Sequence, residues 1–501
     1  MKFKLTVILS TLLFIIGCGN RYGFDFKQEW DWNTLKRQTD DPQTLKQIDD
    51  LREKMSLSDA HFLLKNLSQL KNPEDIYQLS AIEKAQNDSG GGFYGFIPNF
   101  FNDAKKVPVP TDFSGLISCA QYLNNVKLRI HRINARSNFQ INPKFKKRKI
   151  ADIPPDKIHP GLEIKVSTDA IMDVLNHYLA RNLSKKDAIE IANNPTFQQM
   201  LINRKEVGYI PKPLPDEKDL ATFIYQAAQN DPVATIWRWL NPWNCFGFAE
   251  IYNNDSSYYA ICSELNQNAE KIAAAVNAKL SIYLPEDFKF QEQIDFGVNW
   301  GILSWGTENR VGLNIILVKN DYPLIIRQAS SQTFRKIQQK IMRDTHNISS
   351  QDVHIKDIVG SRYSNIYDKL FYEVLAQILI EGTASYVGGK KDSGVIIDGI
   401  KEGRDLLNQV YYSLYEDVNI QTVRACESEG FSINGPFVAI GYSITQKLVK
   451  KYGPEIIYSV LTDNYLDFYL KYLDIEDTFH GKKLKIFDPE TKNKIRELSL
   501  K

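Results

Sequence analysis

Apolar positions along most of this chain recur three and four residues apart, the spacing of a helix with one buried face. Leu45, Ile48 and Leu51, then Leu63, Leu64, Leu67 and Leu70, predict helices between Asp41 and Lys84. Phe113 to Ile133 predicts another. Ser167 stands as an N-cap before Ile171, Val174, Leu175, Tyr178 and Leu179. Ser184-Lys185-Lys186-Asp187 has the form of a capping box, opening a helix that should stop near Asn194-Pro195. The period then shortens. Leu280–Tyr283, Ile294–Val298 and Gly312–Val318 read as strands divided by polar or Gly-containing turns. Asn320-Asp321-Tyr322-Pro323 gives a turn and a helix start with Asp321 as cap, and from there the pattern stays helical. The expected fold class is α+β, predominantly α, with a small sheet in the C-terminal half and a helical C-terminal subdomain.

The first residues follow a different rule. Lys2 and Lys4 precede a mostly apolar run, Leu5–Ile16, that is too short to span a bilayer. It closes on Ile15-Ile16-Gly17-Cys18, the form of a bacterial lipobox, so residues 1–17 are expected to be a lipoprotein signal peptide and Cys18 the lipid attachment site. The alternative is an ordinary secretory signal in which Cys18 is incidental. No Asp follows Cys18, which by resemblance to lipoprotein sorting points to the outer membrane rather than the inner. The expected location is the bacterial envelope, anchored by lipid and not spanning.

A polar tether fills 18–40, an α-rich region 41–163, and a larger domain 164–501. Within the α-rich region, Ser89-Gly90-Gly91-Gly92 is a break and Phe93, Tyr94, Phe96, Phe100 and Phe101 form an aromatic loop. The run Lys144-Phe145-Lys146-Lys147-Arg148-Lys149 reads as a solvated loop, or else as a contact to anionic headgroups. The Pro-rich Ile153–Gly161 after it marks the domain boundary. With 62 basic against 60 acidic residues, nothing points to a nucleic-acid partner. Cys119, Cys245, Cys262 and Cys426 match no zinc or Cys-x-x-Cys spacing. In an oxidising envelope Cys245 can pair with Cys262, or all four can be buried thiols. Trp237, Trp239 and Trp243 lie close together and read as core, with a stacking platform as the alternative.

Candidate chemistry is defined largely by what is missing. Gln328 and Gln332 are one helical turn apart and share a face, with Ala329 between them and Phe334 after. Glu381-Gly382-Thr383-Ala384-Ser385-Tyr386 lies 53 residues downstream of Gln328. A catalytic zinc takes three protein ligands from His, Asp, Glu or Cys and leaves a fourth position for water. The seven His (His61, His131, His159, His177, His346, His354, His480) include no pair three to five apart. There is no Gly-x-Ser-x-Gly elbow and no phosphate loop. The carboxylates Glu286 and Asp287 look like surface charge.

From about Ile164 to Leu473 the order of elements resembles bacterial zinc-dependent proteases of the gluzincin type. The resemblance rests on the Ser167-Thr168-Asp169-Ala170 helix, the Asp295–Gly301 strand region, the strand-turn-helix at 312–338, the Glu381–Tyr386 helix and Gly435–Tyr442 opening a helix that ends at Tyr452-Gly453-Pro454. It implies a zincin-like fold, with Gln328 and Gln332 at the two His ligand positions, Ala329 at the general-base position and Glu381 at the third ligand. Three of those four have lost the family's residue. Zinc is the family's cofactor, but here its ligands are missing, so no cofactor is expected. The resemblance thus implies a lipid-anchored pseudoenzyme that binds a peptide, protein or glycan in the old cleft. The alternatives are an active hydrolase with a non-standard site, and a surface structural or adhesion lipoprotein in which 19–163 does the work.

Overall fold

A computed structural model of the chain describes residues 31–70, 112–136, 150–206, 217–230, 232–240, 247–299, 302–307, 310–346, 363–389, 393–432, 435–462, 464–477 and 485–500. The signal segment with Cys18, the Gly-rich break and aromatic loop of 89–101, the basic run 144–149, Trp243, Cys245 and His354 lie outside the described residues. Among the described residues no helix is long and apolar enough to cross a membrane. The fold is mainly helical with one small mixed sheet, as the periodicities predict.

The chain divides into two units. The first takes the described residues of Met1–Pro143 with Ala170–Ala260 and Val298–Ile302. Its helices are α1 (Trp32–Lys36), α2 (Pro42–Lys54), α3 (Leu57–Ser68), α4 (Phe113–Arg136), α5 (Asp169–Ala180), α6 (Lys185–Ala192), α7 (Pro195–Glu206), α8 (Glu217–Ala227), α9 (Pro232–Leu240) and α10 (Phe248–Asn253). The capping box at Ser184 forms in full: its hydroxyl accepts from the Asp187 N–H, and the Asp187 carboxylate accepts from the Ser184 N–H. The helix stops at Ala192, close to the expected Asn194-Pro195, and Pro195 begins the next helix, where its missing N–H costs nothing. Trp239 is a half-buried link between helices. Its indole N–H donates to Asp59 at 3.0 Å, Phe62 stacks on it at 6.3 Å, and the Lys127 ammonium lies 3.8 Å from the ring centre.

The second unit takes Lys144–Asp169, Ile261–Gly297 and Leu303–Lys501. Its sheet has the order β1 (Leu162–Ser167), β2 (Phe290–Gly297), β4 (Arg310–Asn314), β3 (Ser304–Thr307), with β3 antiparallel and the other three parallel. After α11 (Asp255–Gln267), α12 (Ala269–Ser281) packs on β1, and α14 (Tyr322–His346) packs on β3 and β4. These two helices also touch each other, so they cover one face. The helices α13 (Ile315–Val318), α15 (Ile366–Gly388), α16 (Ser393–Tyr415), α17 (Ile420–Gly430), α18 (Pro436–Tyr452), α19 (Ile456–Thr462), α20 (Tyr465–Asp477) and α21 (Pro489–Ser499) complete the unit. In this group α15 and α18 pack closely, as do α16 and α18.

Two expected strands are corrected. Leu280 and Ser281 end helix α12, because Ile272, Val276 and Leu280 are buried at helical spacing in an Ala-rich segment. The expected strand Gly312–Val318 stops at Asn314. There the side-chain oxygen accepts the Ile316 N–H at 3.2 Å and turns Ile315–Val318 into the short helix α13. The sequence reading missed β1 and β3. The latter contains Trp305, whose indole lies over Gly312 on β4, so a Cβ on Gly312 would come within 1.9 Å of that ring. The Pro-rich Ile153–Gly161 belongs to the second unit, fastened by Asn277, whose amide donates to the carbonyls of His159 and Leu162.

Candidate functional site

Helix α14 begins where the sequence predicts it. The Asp321 carboxylate accepts the Leu324 N–H at 3.1 Å, and Pro323 lies in the first turn. From that start, residues 328, 332 and 335 fall on one face at intervals of four and three. All three are half-buried, whereas Ala329 is fully buried and offers no polar atom.

Gln328 and Gln332 do come together, through a third residue. Ser304 on β3 donates its hydroxyl to Gln328 Oε1 at 2.9 Å and accepts from Gln332 Nε2 at 3.1 Å. One hydroxyl therefore satisfies two amides in a chain of donors, Gln332 to Ser304 to Gln328. Glu381 is engaged elsewhere: its carboxylate takes the Arg335 guanidinium directly, with both side chains about a quarter exposed. So of the four positions carried by the resemblance, the Gln pair turns to the sheet, Glu381 turns to an arginine and Ala329 is buried. Zinc does not fit these residues. Its donors would have to converge and be free, and here each polar group already has a partner, with a fixed positive charge on the one carboxylate. Among the described residues, no group of three or more His, Cys, Asp and Glu could hold a metal.

The strand carrying Ser304 is the outer strand of the sheet. The Asn314 N–H donates to the Leu303 carbonyl at 3.0 Å, which makes that pair a hydrogen-bonded one. By antiparallel alternation Trp305 and Gly312 form the next such pair. The backbone groups of Ser304 and Gly306 consequently point away from β4, toward the edge that pairs with no strand among the described residues.

The Glu381–Tyr386 segment of α15 and the Gly435–Tyr442 segment of α18 meet as well. Tyr386 lies 5.5 Å from Tyr442 and 6.4 Å from Tyr283, ring centre to ring centre. Burial pushes the Tyr283 phenol up to about 12, and it raises Tyr386 and Tyr442 as well, so all three are donors rather than bases near neutral pH. The described thiols are held protonated near neutral pH. Cys119, Cys262 and Cys426 are free, and burial pushes Cys119 and Cys262 up to about 12 and raises Cys426. Cys245, the expected alternative partner of Cys262, lies outside the described residues. Buried His159 is structural: one ring nitrogen accepts from Gly161 N–H and the other contacts the Pro285 carbonyl.

Sequence reasoning missed Ser304 and Arg335. Arg335 was within reach of a helical-face argument, three residues from Gln332. Ser304 had no local signal. Compared with family models, curated proteins and solved structures, the chain matches none.

Proposed function

We propose that this chain is a lipid-anchored envelope protein whose second unit has a zinc-peptidase-like scaffold and binds an extended peptide without hydrolysing it. The observation that carries this reading is the Ser304 bridge. The amides at the two ligand positions are spent on the edge strand, and the third ligand position is spent on Arg335. Ala329 has no side chain able to accept a proton from water. What remains is a half-exposed polar strip beside a sheet edge whose Ser304 and Gly306 backbones face outward. Such an edge binds peptides by adding a strand, with main-chain bonds supplying affinity. Anchoring follows from the lipobox at Cys18, and the membrane partner is the bilayer that takes this lipid.

The test is calorimetric titration of the mature chain with a Thr- and Val-rich octapeptide and its backbone N-methylated counterpart. Parent protein is expected to bind the first and not the second. Gly306→Pro removes one outward N–H where proline is tolerated, and should abolish binding while leaving the thermal transition in place. Equal binding of both peptides, or full binding by Gly306→Pro, overturns the reading. Metal analysis of the same preparation is expected to find no stoichiometric zinc. Stoichiometric zinc that disappears in Glu381→Ala would establish a working metal site instead.

A further inference from the structure

The Ser304 bridge leaves each glutamine with one end unused. Gln332 spends its Nε2 on the Ser304 hydroxyl at 3.1 Å, and Gln328 spends its Oε1 on it at 2.9 Å. Gln332 Oε1 and Gln328 Nε2 have no hydrogen-bond partner among the described residues, and both side chains are half-buried rather than enclosed. The strip thus offers one carbonyl acceptor and one N–H donor group, fixed in place by a shared hydroxyl. Turning both amides over would exchange the two ends and leave the same pair on offer.

Gly306 keeps the acceptor within reach of the strand edge. A Cβ at that position would stand 3.2 Å from Gln332 Oε1, closer than such contacts ordinarily come. Alternation along β3 puts Ser304 and Gly306 on its α14 face and the Trp305 ring on the other, over Gly312. A peptide added to this edge alternates in the same way, so every second side chain points to the α14 face, toward Gln328 and Gln332. The charge beside the amides is already matched. Arg335, three residues from Gln332, is held by the Glu381 carboxylate.

Side chains arriving there differ in what they leave unpaired. An apolar one shuts water away from both amide ends and supplies nothing in exchange. A carboxylate has acceptors only, so it meets the Gln332 oxygen as a second acceptor. An ammonium has donors only and leaves Gln328 Nε2 unmatched. A carboxamide carries an acceptor and a donor group on one planar end and satisfies both.

We infer that the α14-facing side chains of the bound peptide are carboxamides, asparagine or glutamine, whose N–H group donates to Gln332 Oε1 and whose oxygen accepts from Gln328 Nε2. This rests on the strand-addition reading of the β3 edge and names the class of peptide that the edge selects.

The experiment titrates the mature chain with octapeptides that alternate threonine with glutamine, glutamate or methionine, and with the Thr- and Val-rich octapeptide as reference. The three varied side chains are of nearly equal length. In each peptide one face carries only the varied residue, so no particular register has to be met. The glutamine peptide is expected to bind at least about tenfold more tightly than the glutamate and methionine peptides. Gly306→Ala keeps the outward N–H but lays a methyl group against Gln332 Oε1, and Gln332→Met removes that oxygen. Each should cut the preference to about threefold or less, with the thermal transition measured alongside. Gly306→Ala alters no hydrogen-bonding group, so it tests the acceptor even where Gln332→Met disturbs the fold. If the reference binds and the glutamine peptide gains less than about threefold over the other two, this inference is overturned while the edge reading stands. A preference that survives in both variants overturns it equally. If no octapeptide binds at about 1 mM, the edge reading falls and takes this inference with it.

Discussion

Gly441→Ala will lower the thermal transition by roughly 6–12 °C, a loss on the order of 3 kcal/mol at about 2–4 °C per kcal/mol. The reason is the crossing of α15 and α18. A Cβ built on Gly441 would stand 2.2 Å from the Ile378 carbonyl oxygen and 2.8 Å from Gly382 Cα. The reverse contact is as close: a Cβ on Gly382 would stand 2.2 Å from the Gly441 carbonyl carbon. These are backbone atoms, so no side chain can rotate away and the helices must separate. Separation would break packing along two of the most closely packed helices of the second unit. Calorimetry checks this, and a transition within about 2 °C of the parent would show that the crossing accommodates a methyl group. The same contact accounts for glycine at both positions, independently of any metal.

Lys336→Met will cost on the order of 3–5 kcal/mol at neutral pH, because it leaves a carboxylate unpaired in the interior. Glu292 on β2 has a fully buried side chain, and the Lys336 ammonium from α14 reaches both of its oxygens, at 2.7 and 2.6 Å. Burial raises the Glu292 carboxyl above its ordinary 4.5, with Lys336 the chief opposing influence. The folded chain therefore holds that proton more tightly than the unfolded chain does. Stability linked to it is fully present below the unfolded value and is lost as pH rises through the folded value. Removing Lys336 raises the folded value further. The loss should accordingly be larger at pH 7.5 than at pH 5 in urea unfolding. Lys336→Met/Glu292→Met should recover most of it, since an apolar pair of similar volume often replaces a buried ion pair at little cost. An equal loss at both pH values, or no recovery in the double variant, contradicts this account.

Much of the helical architecture was legible because its signals are local. The Ser184 capping box, the Asp321 cap and the Gly435-Pro436 start all lie within a turn of the residues they act on, and each forms. The strand reading was weaker for the same reason. Leu280–Tyr283 has strand-like composition, yet it follows an Ala-rich helix that it simply finishes. Ser304-Trp305-Gly306-Thr307 looks like a turn, and it is a strand because Gly312 leaves room for the Trp305 ring. Tertiary packing overrides short-range propensity where only a few residues are in play.

By itself the sequence determined that the chain is mainly helical with a small sheet, and that no two His stand at zinc-ligand spacing along a helix. Both follow from spacing along the chain, which no folding event alters. Only the tertiary structure decided what the candidate residues touch. Ser304 lies 24 residues from Gln328, and Arg335 lies 46 residues from Glu381. Contacts over such separations depend on how a strand and two helices are laid together, because a hydrogen bond needs its atoms within about 3 Å of each other. Periodicity could place Gln328, Gln332 and Arg335 on one face. It could not show that the Gln pair would turn to a serine and the arginine to Glu381.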